Sequence, residues 1–144
     1  MGDRFSPEAR AFLLHNRVGH LATADPAGVP HVIPLCYVLD ADTLYFVVDA
    51  KRKRRAGTAL KRMRNIVENP AVALVVDDYN EDWTVLAYVL VRGRAVVVAD
   101  GDERARALAC LRDKYQQYRD MTLEGPAHPV VRITPEHVHL WRAS

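Results

Sequence analysis

Two cysteines, Cys36 and Cys110, are all that this 144-residue chain contains, far apart and without CxxC spacing. That excludes a disulfide framework and a thiolate metal cluster, and free core thiols in a cytoplasmic protein are expected. No apolar run approaches the roughly 18 residues of a membrane span, and MGDRFSPEARAF carries no apolar signal core, so no membrane association is expected. G-x-G-x-x-G, Walker A, G-x-S-x-G and the D-x-D-x-D-G calcium spacing are all missing. His137 and His139 share one face of a predicted strand with Trp141 but lack a third ligand, so no metal site is expected. His20 and His31 are expected to face one another across a hairpin as a structural pair. No repeat, low-complexity tract or domain boundary divides the chain, which reads as a single domain over residues 1–144.

What is present is unevenly distributed charge. The net charge is only +2, yet KRKRRAGTALKRMR, from Lys51 to Arg64, holds eight basic residues and no acid. The remaining 12 basic residues face 18 acidic ones. A cationic cluster between a strand end and a helix start suits a phosphorylated ligand, because helix N-termini and guanidinium forks both favour phosphate. Arg52, Arg55, Lys61 and Arg64 are expected to point away from it. No aromatic residue interleaves the cluster, which argues against nucleic acid.

Ser6-Pro7-Glu8 reads as cap, first-turn proline and early acid of a helix reaching about Asn16. Strands are predicted over 18–23 and, after the turn Asp25–Gly28, over 29–39, where Pro30 and Pro34 force irregularity or an open edge. A third strand covers 43–48, a helix runs from about Thr58 to Glu68, and a buried strand covers 71–76. The acidic loop 77–82 is a solvated turn or a partner for the basic segment. A long strand over 83–99 breaks near Gly93, a bulge or bend. A helix from Asp102 to about Tyr118 and a strand over 130–141, with Pro135 mid-way, complete the chain. The pattern predicts an α+β, mainly β fold: a small barrel of six or seven strands with about three peripheral helices. Strand order is not readable from it.

LATADPAGVPHVIPLCYVL, LYFVVDAKRKR, LKRMRNIVENPAVALVVDDYNEDW, VRGRAVVV and ITPEHVHLWRA follow in that order. Together they resemble the pyridoxamine-phosphate-oxidase-like, FMN-binding split-barrel superfamily, over about Val18 to Arg142. The likeness is nearest to its branch of probable F420-dependent oxidoreductases. The resemblance implies a split barrel of antiparallel strands and a homodimer with cofactor sites at the interface, each built from both chains. It implies that Lys51, Lys53, Arg54, Thr58, Arg62 and Asn65 meet the phosphate-bearing tail. The ring is placed along Ile33, Pro34, Leu35 and Cys36, with Tyr37 close by and Trp83 and Trp141 near cofactor or partner. The chain stops at Trp141-Arg142-Ala143-Ser144, short of the arginine- and histidine-containing motif of true pyridoxamine phosphate oxidases, so vitamin B6 oxidation is not expected.

The functional expectation is an oxidoreductase using coenzyme F420 for hydride transfer to a small organic acceptor. No obligatory catalytic side chain is expected, since such cofactors carry the chemistry. FMN is the alternative cofactor; the breadth of the cationic patch favours the longer, polyanionic deazaflavin tail. A non-enzymatic flavin-, haem- or nucleic-acid-binding barrel is the reading from another class.

Overall fold

The computed structural model describes residues 4–49 and 53–144, and for residues 53–60 the backbone alone. Helix α1 (Pro7–His15) starts as the sequence predicts, with the Ser6 hydroxyl accepting from the Ala9 amide at 3.1 Å. Seven strands follow: β1 (Gly19–Ala24), β2 (Pro30–Leu35), β3 (Val38–Asp40), β4 (Thr43–Val47), β5 (Ala71–Asp78), β6 (Ala87–Val97) and β7 (Val130–Arg142). Helix α2 (Lys53–Glu68) lies between β4 and β5, and α3 (Asp102–Lys114) between β6 and β7. All strands pair antiparallel in one sheet, in the order β2-β1-β5-β6-β7-β4-β3. This is the expected α+β split barrel.

Several boundaries differ from the sequence reading. The strand expected over 29–39 is two strands, β2 and β3, at opposite edges of the sheet. Between them the Tyr37 backbone leaves the ladder and bonds to a side chain instead. The Tyr115 hydroxyl accepts from the Tyr37 amide at 3.0 Å and donates toward the carbonyl oxygens of Tyr37 (2.7 Å) and Arg17 (2.8 Å). Buried backbone polar groups need such partners, and here a tyrosine supplies them. Trp83–Val85 is a 3-10 turn ahead of β6 rather than strand, because Asp82 caps it through the Thr84 amide and hydroxyl. The third helix ends at Lys114, and Gln116–Asp120 forms a separate 3-10 turn. Helix α2 begins at Lys53, five residues before the predicted Thr58.

Burial alternates along the strands and divides the apolar residues into two clusters. Leu21, Leu44, Phe46, Leu74, Val89 and Ile133 fill the inside of the curled sheet with Phe12 and Leu13 of α1 and Ile66 of α2. On the opposite face of β3, β4 and β7, Val38, Tyr45, Val47 and Val130 pack beneath Leu108 and Leu111 of α3. Residues of β1, β2, β5 and β6 that point away from the interior, among them His20, Ala22, Val32, Val75 and Leu90, are half-buried or exposed. His20 and His31 therefore do not form a pair. His20 pairs in register with Pro34 and is exposed, whereas His31 pairs with Thr23, whose side chain is buried.

The β6–β7 ladder slips between Arg92 and Gly93, so that Gly93 faces Pro135 while Arg92 faces His137. This bulge accommodates the proline that the strand pattern disfavours. A Cβ on Gly93 would lie 2.2 Å from the Thr134 carbonyl oxygen, backbone that has no freedom to move away. Gly93→Ala is expected to destabilise the fold by about 1–3 kcal/mol, as overpacking does, read as a lowered urea midpoint. A variant as stable as the parent would show that the ladder can open at the bulge.

Candidate functional site

The two-residue link between β2 and β3 brings opposite sheet edges together, and a cavity of about 260 Å³ opens at that seam. Pro34 and Leu35 of β2, Cys36 of the link, Val47 and Asp49 at the end of β4, Arg62 of α2, Tyr118 and Val18 line it. Four residues expected at the cofactor site, Pro34, Leu35, Cys36 and Arg62, thus share one cavity.

Arg62 is 9% exposed, and its guanidinium lies 5.5 Å from the Phe46 ring centroid. Burial pulls its pKa down and the Asp49 charge opposes that pull; arginine nevertheless stays protonated at neutral pH. Its Nε is buried without a hydrogen-bond partner. One helical turn on, Asn65 is fully buried; its Nδ2 donates to the Thr23 hydroxyl at 3.0 Å while its Oδ1 has no partner. His31 Nε2, on the strand neighbouring Thr23, is the third buried polar atom left unpaired among the described residues. Orphaned buried polar groups cost roughly 1–3 kcal/mol each, and all three belong to α2 or to the β1–β2 hairpin. Of the three residues, Arg62 lines the cavity, whereas Asn65 and His31 do not.

Opposite Arg62, the Tyr118 hydroxyl donates to Asp49 Oδ2 at 2.7 Å. Burial, then this bond, raises the Tyr118 pKa. The Cys36 thiol is pushed up by burial, with Tyr118 hydrogen bonding acting against it. Sequence reasoning missed Asp49 and Tyr118. Asp49 had a signal, as the lone acid between β4 and the basic run; Tyr118 had none, since its approach depends on how the chain turns after α3.

The other expected residues are dispersed. Ile33 does not line the cavity. Trp83 is 67% exposed and donates from Nε1 to the Tyr79 hydroxyl at 3.3 Å, and Trp141, 40% exposed, stacks on Tyr88 at 5.6 Å. Lys51 lies outside the described residues, as do the side chains of Lys53, Arg54 and Thr58. The backbone of these last three forms the start of α2, whose first turn contains no acid to meet the positive helix end. Lys61 instead lies 3.9 Å from Asp25, and Arg64 is exposed. Among the described residues, no group of three or more His, Cys, Asp or Glu could hold a metal ion, and no helix is long and apolar enough to cross a membrane.

A curled antiparallel sheet whose edges meet at a polar cavity places the molecule among the split barrels. Residues 5–142 match the pyridoxamine 5'-phosphate oxidase family, and the chain belongs to that family. It is 28% identical to a FAD-binding protein of Mesorhizobium loti, with a TM-score of 0.71 over 97% of this chain and 96% of that one. It is 27% identical over 103 residues, 71% of this chain and 70% of the other, to the 5a,11a-dehydrotetracycline/5a,11a-dehydrooxytetracycline reductase of Streptomyces rimosus. The haem storage protein of Vibrio cholerae shares the fold, with a TM-score of 0.71 at 17% identity over 96% of this chain and 94% of that one.

Behind Cys36 and Tyr37, the Lys114 ammonium donates to the carbonyl oxygens of Tyr37 (3.2 Å) and Leu13 (3.3 Å) and lies 3.9 Å from the Tyr37 ring centroid. Burial, then repulsion from Arg17, lowers its pKa from 10.5 to about 8. Between those two values the unfolded chain holds a proton that the folded chain has released, so this group makes stability rise with pH. Urea denaturation of the wild type and Lys114→Met is expected to show the wild type gaining on the variant from pH 8 towards pH 10. A constant difference across that window would mean that Lys114 stays solvated.

Proposed function

We propose that the protein is an oxidoreductase that binds coenzyme F420 at the β2–β4 seam and reduces a small, unsaturated organic acceptor as a homodimer. The observation that carries this reading is Arg62, buried in the cavity with its Nε unpaired and Asn65 Oδ1 unpaired one turn away. A coenzyme with an anionic tail supplies a counter-charge to the Arg62 guanidinium where it borders the cavity. When bound, the deazaflavin supplies hydride chemistry; the chain's own groups hold, orient and shield it.

On this reading Arg62 grips the tail electrostatically with Lys51, Lys53 and Arg54, while Thr58 and Asn65 hydrogen-bond to it. The proline at 34 lacks an amide proton and the chain leaves the ladder at Cys36, so this stretch of backbone stands ready for the ring. Asp49, held by Tyr118, accepts from neutral hydroxyl or N–H donors and repels a phosphate from that wall. The start of α2 at Lys53 places Lys53 and Arg54 in the first turn of the helix, which favours the longer tail over the single phosphate of FMN. The similarity to a 5a,11a-dehydrotetracycline/5a,11a-dehydrooxytetracycline reductase supports reduction of an organic substrate.

Dimerisation is supported by the outward face of β1, β2, β5 and β6, which no described helix covers and which presents Ala22, Val32, Val75 and Leu90. An enclosed coenzyme site needs that face, with Trp141 at its end, to meet a second copy.

FMN is the second reading, favoured by the similarity to a FAD-binding protein, which implies a flavin ring in the same fold. A haem reading meets no histidine among the cavity-lining residues.

Fluorescence titration with F420 and FMN side by side decides the cofactor. Tight binding of F420 and weak binding of FMN is expected, and the reverse result selects FMN. Arg62→Ala is expected to weaken the preferred cofactor by about 1.5–3 kcal/mol, the worth of a hydrogen bond to a charged group. Unchanged affinity in that variant removes Arg62 from the site.

A further inference from the structure

We propose that a second cavity, floored by Arg104, binds a small organic monocarboxylate with an apolar body. It measures about 410 Å³ and lies between the end of β6, the start of α3 and the 125–129 loop. Val97, Val98, Pro126 and Pro129 supply apolar walls, and Gly125, Asp100 and Arg104 complete the lining.

Arg104 is only 8% exposed. Its Nη2 donates to the carbonyl oxygens of Leu123 (2.9 Å), Gly125 (3.0 Å) and His128 (2.7 Å). Those contacts fix the side chain and shape the loop, but they use one nitrogen of the fork. Nη1 and Nε have no partner among the described residues. They are also absent from the set of buried unpaired atoms, so they reach accessible space, and the space that Arg104 borders is this cavity. No carboxylate of the described residues lies within ion-pair distance of Arg104, although surface arginines such as Arg112 and Arg132 each have one.

A buried guanidinium without a counter-ion is unfavourable, and a carboxylate supplies both the missing charge and an acceptor for one free N–H, at Nε or at Nη1. The valine and proline walls require the rest of the ligand to be apolar, as in an aryl- or alkyl-carboxylic acid. Asp100 is exposed at the same cavity and repels a second negative charge, so a monoanion is preferred over phosphate. The inference is independent of the coenzyme reading, because it uses none of the residues at the β2–β4 seam.

Phenylacetate is the probe, titrated calorimetrically into the full-length protein beside methyl phenylacetate and inorganic phosphate. Saturable binding of phenylacetate is expected, with the ester about tenfold or more weaker, as loss of a charged hydrogen bond implies. Arg104→Ala risks unfolding the 123–128 loop, so Val97→Glu carries the test: Val97 is a partly exposed wall residue, and a carboxylate there opposes the ligand's own. Val97→Glu is expected to abolish phenylacetate binding at unchanged thermal stability, while Arg62→Ala retains it. Absence of binding to the wild type, equal affinity for acid and ester, or full binding by Val97→Glu would each overturn the assignment.

Discussion

Cys36 and Tyr37 join strands that stand at opposite edges of a seven-stranded sheet, and much else in the molecule follows from that short connection. A flat sheet would hold β2 and β3 several strand widths apart, each width nearly 5 Å. Two residues cannot span that distance, so the sheet must curl until its edges approach. The curl encloses the interior apolar cluster and leaves β2 and β3 without ladder partners toward each other. The Tyr115 hydroxyl then serves the Tyr37 backbone where strand hydrogen bonding stops, which ties α3 to the seam. Closure and the cavity at the seam are therefore one event. The same link that closes the barrel prevents the two edges from pairing into a continuous wall.

Polar satisfaction breaks down at that place and in the hairpin beneath α2. Arg62 Nε, Asn65 Oδ1 and His31 Nε2 are unpaired although buried. Elsewhere the chain is careful with its polar groups: Ser6 caps α1, Asp82 caps the turn ahead of β6, and Asp25 accepts from the Ala27 and Val29 amides in the first hairpin. Local rules are obeyed wherever the structure alone is at stake and relaxed on one side of the molecule. Such relaxation is what a binding function imposes on an otherwise consistent fold.

Much of the fold was legible because it rests on local chemistry. The Ser6-Pro7-Glu8 helix start, the Asp25–Gly28 turn and the irregularity at Gly93 each follow from one or two residues whose backbone preferences are strong. The division of 29–39 was only half legible. Pro30 and Pro34 announced an open edge, but the exchange of edges at Cys36 depends on Tyr115, some eighty residues away in sequence. The site shows the same limit. Arg62 and Asn65 are three residues apart on a helix, so their common inward face follows from periodicity once the helix is assigned. Asp49 and Tyr118 meet only after α3 has folded back over β4, and no spacing encodes that contact. Ile33 shares a strand face with Leu35, but it stands two residues farther from the link at which the cavity opens, and only Leu35 lines it.

The treatment of arginine connects the two cavities. Arg10, Arg106, Arg112, Arg132 and Arg142 each meet a carboxylate at 3.0 Å or less, and none of the five is buried. Arg62 and Arg104 are buried, and neither has a carboxylate within ion-pair distance among the described residues. If burial were meant only to stabilise the fold, the reverse assignment would be expected, since an unpaired charge costs most where water is excluded. Instead Arg62 is held over an aromatic ring and Arg104 by three carbonyl oxygens, contacts that position a guanidinium without neutralising it. Positive charge kept buried and oriented beside a cavity, with Asp49 acting on Arg62 only from beyond ion-pair distance, suits an anionic ligand. Each of the two cavities, one at the barrel seam and one at the start of α3, has one such arginine in its lining.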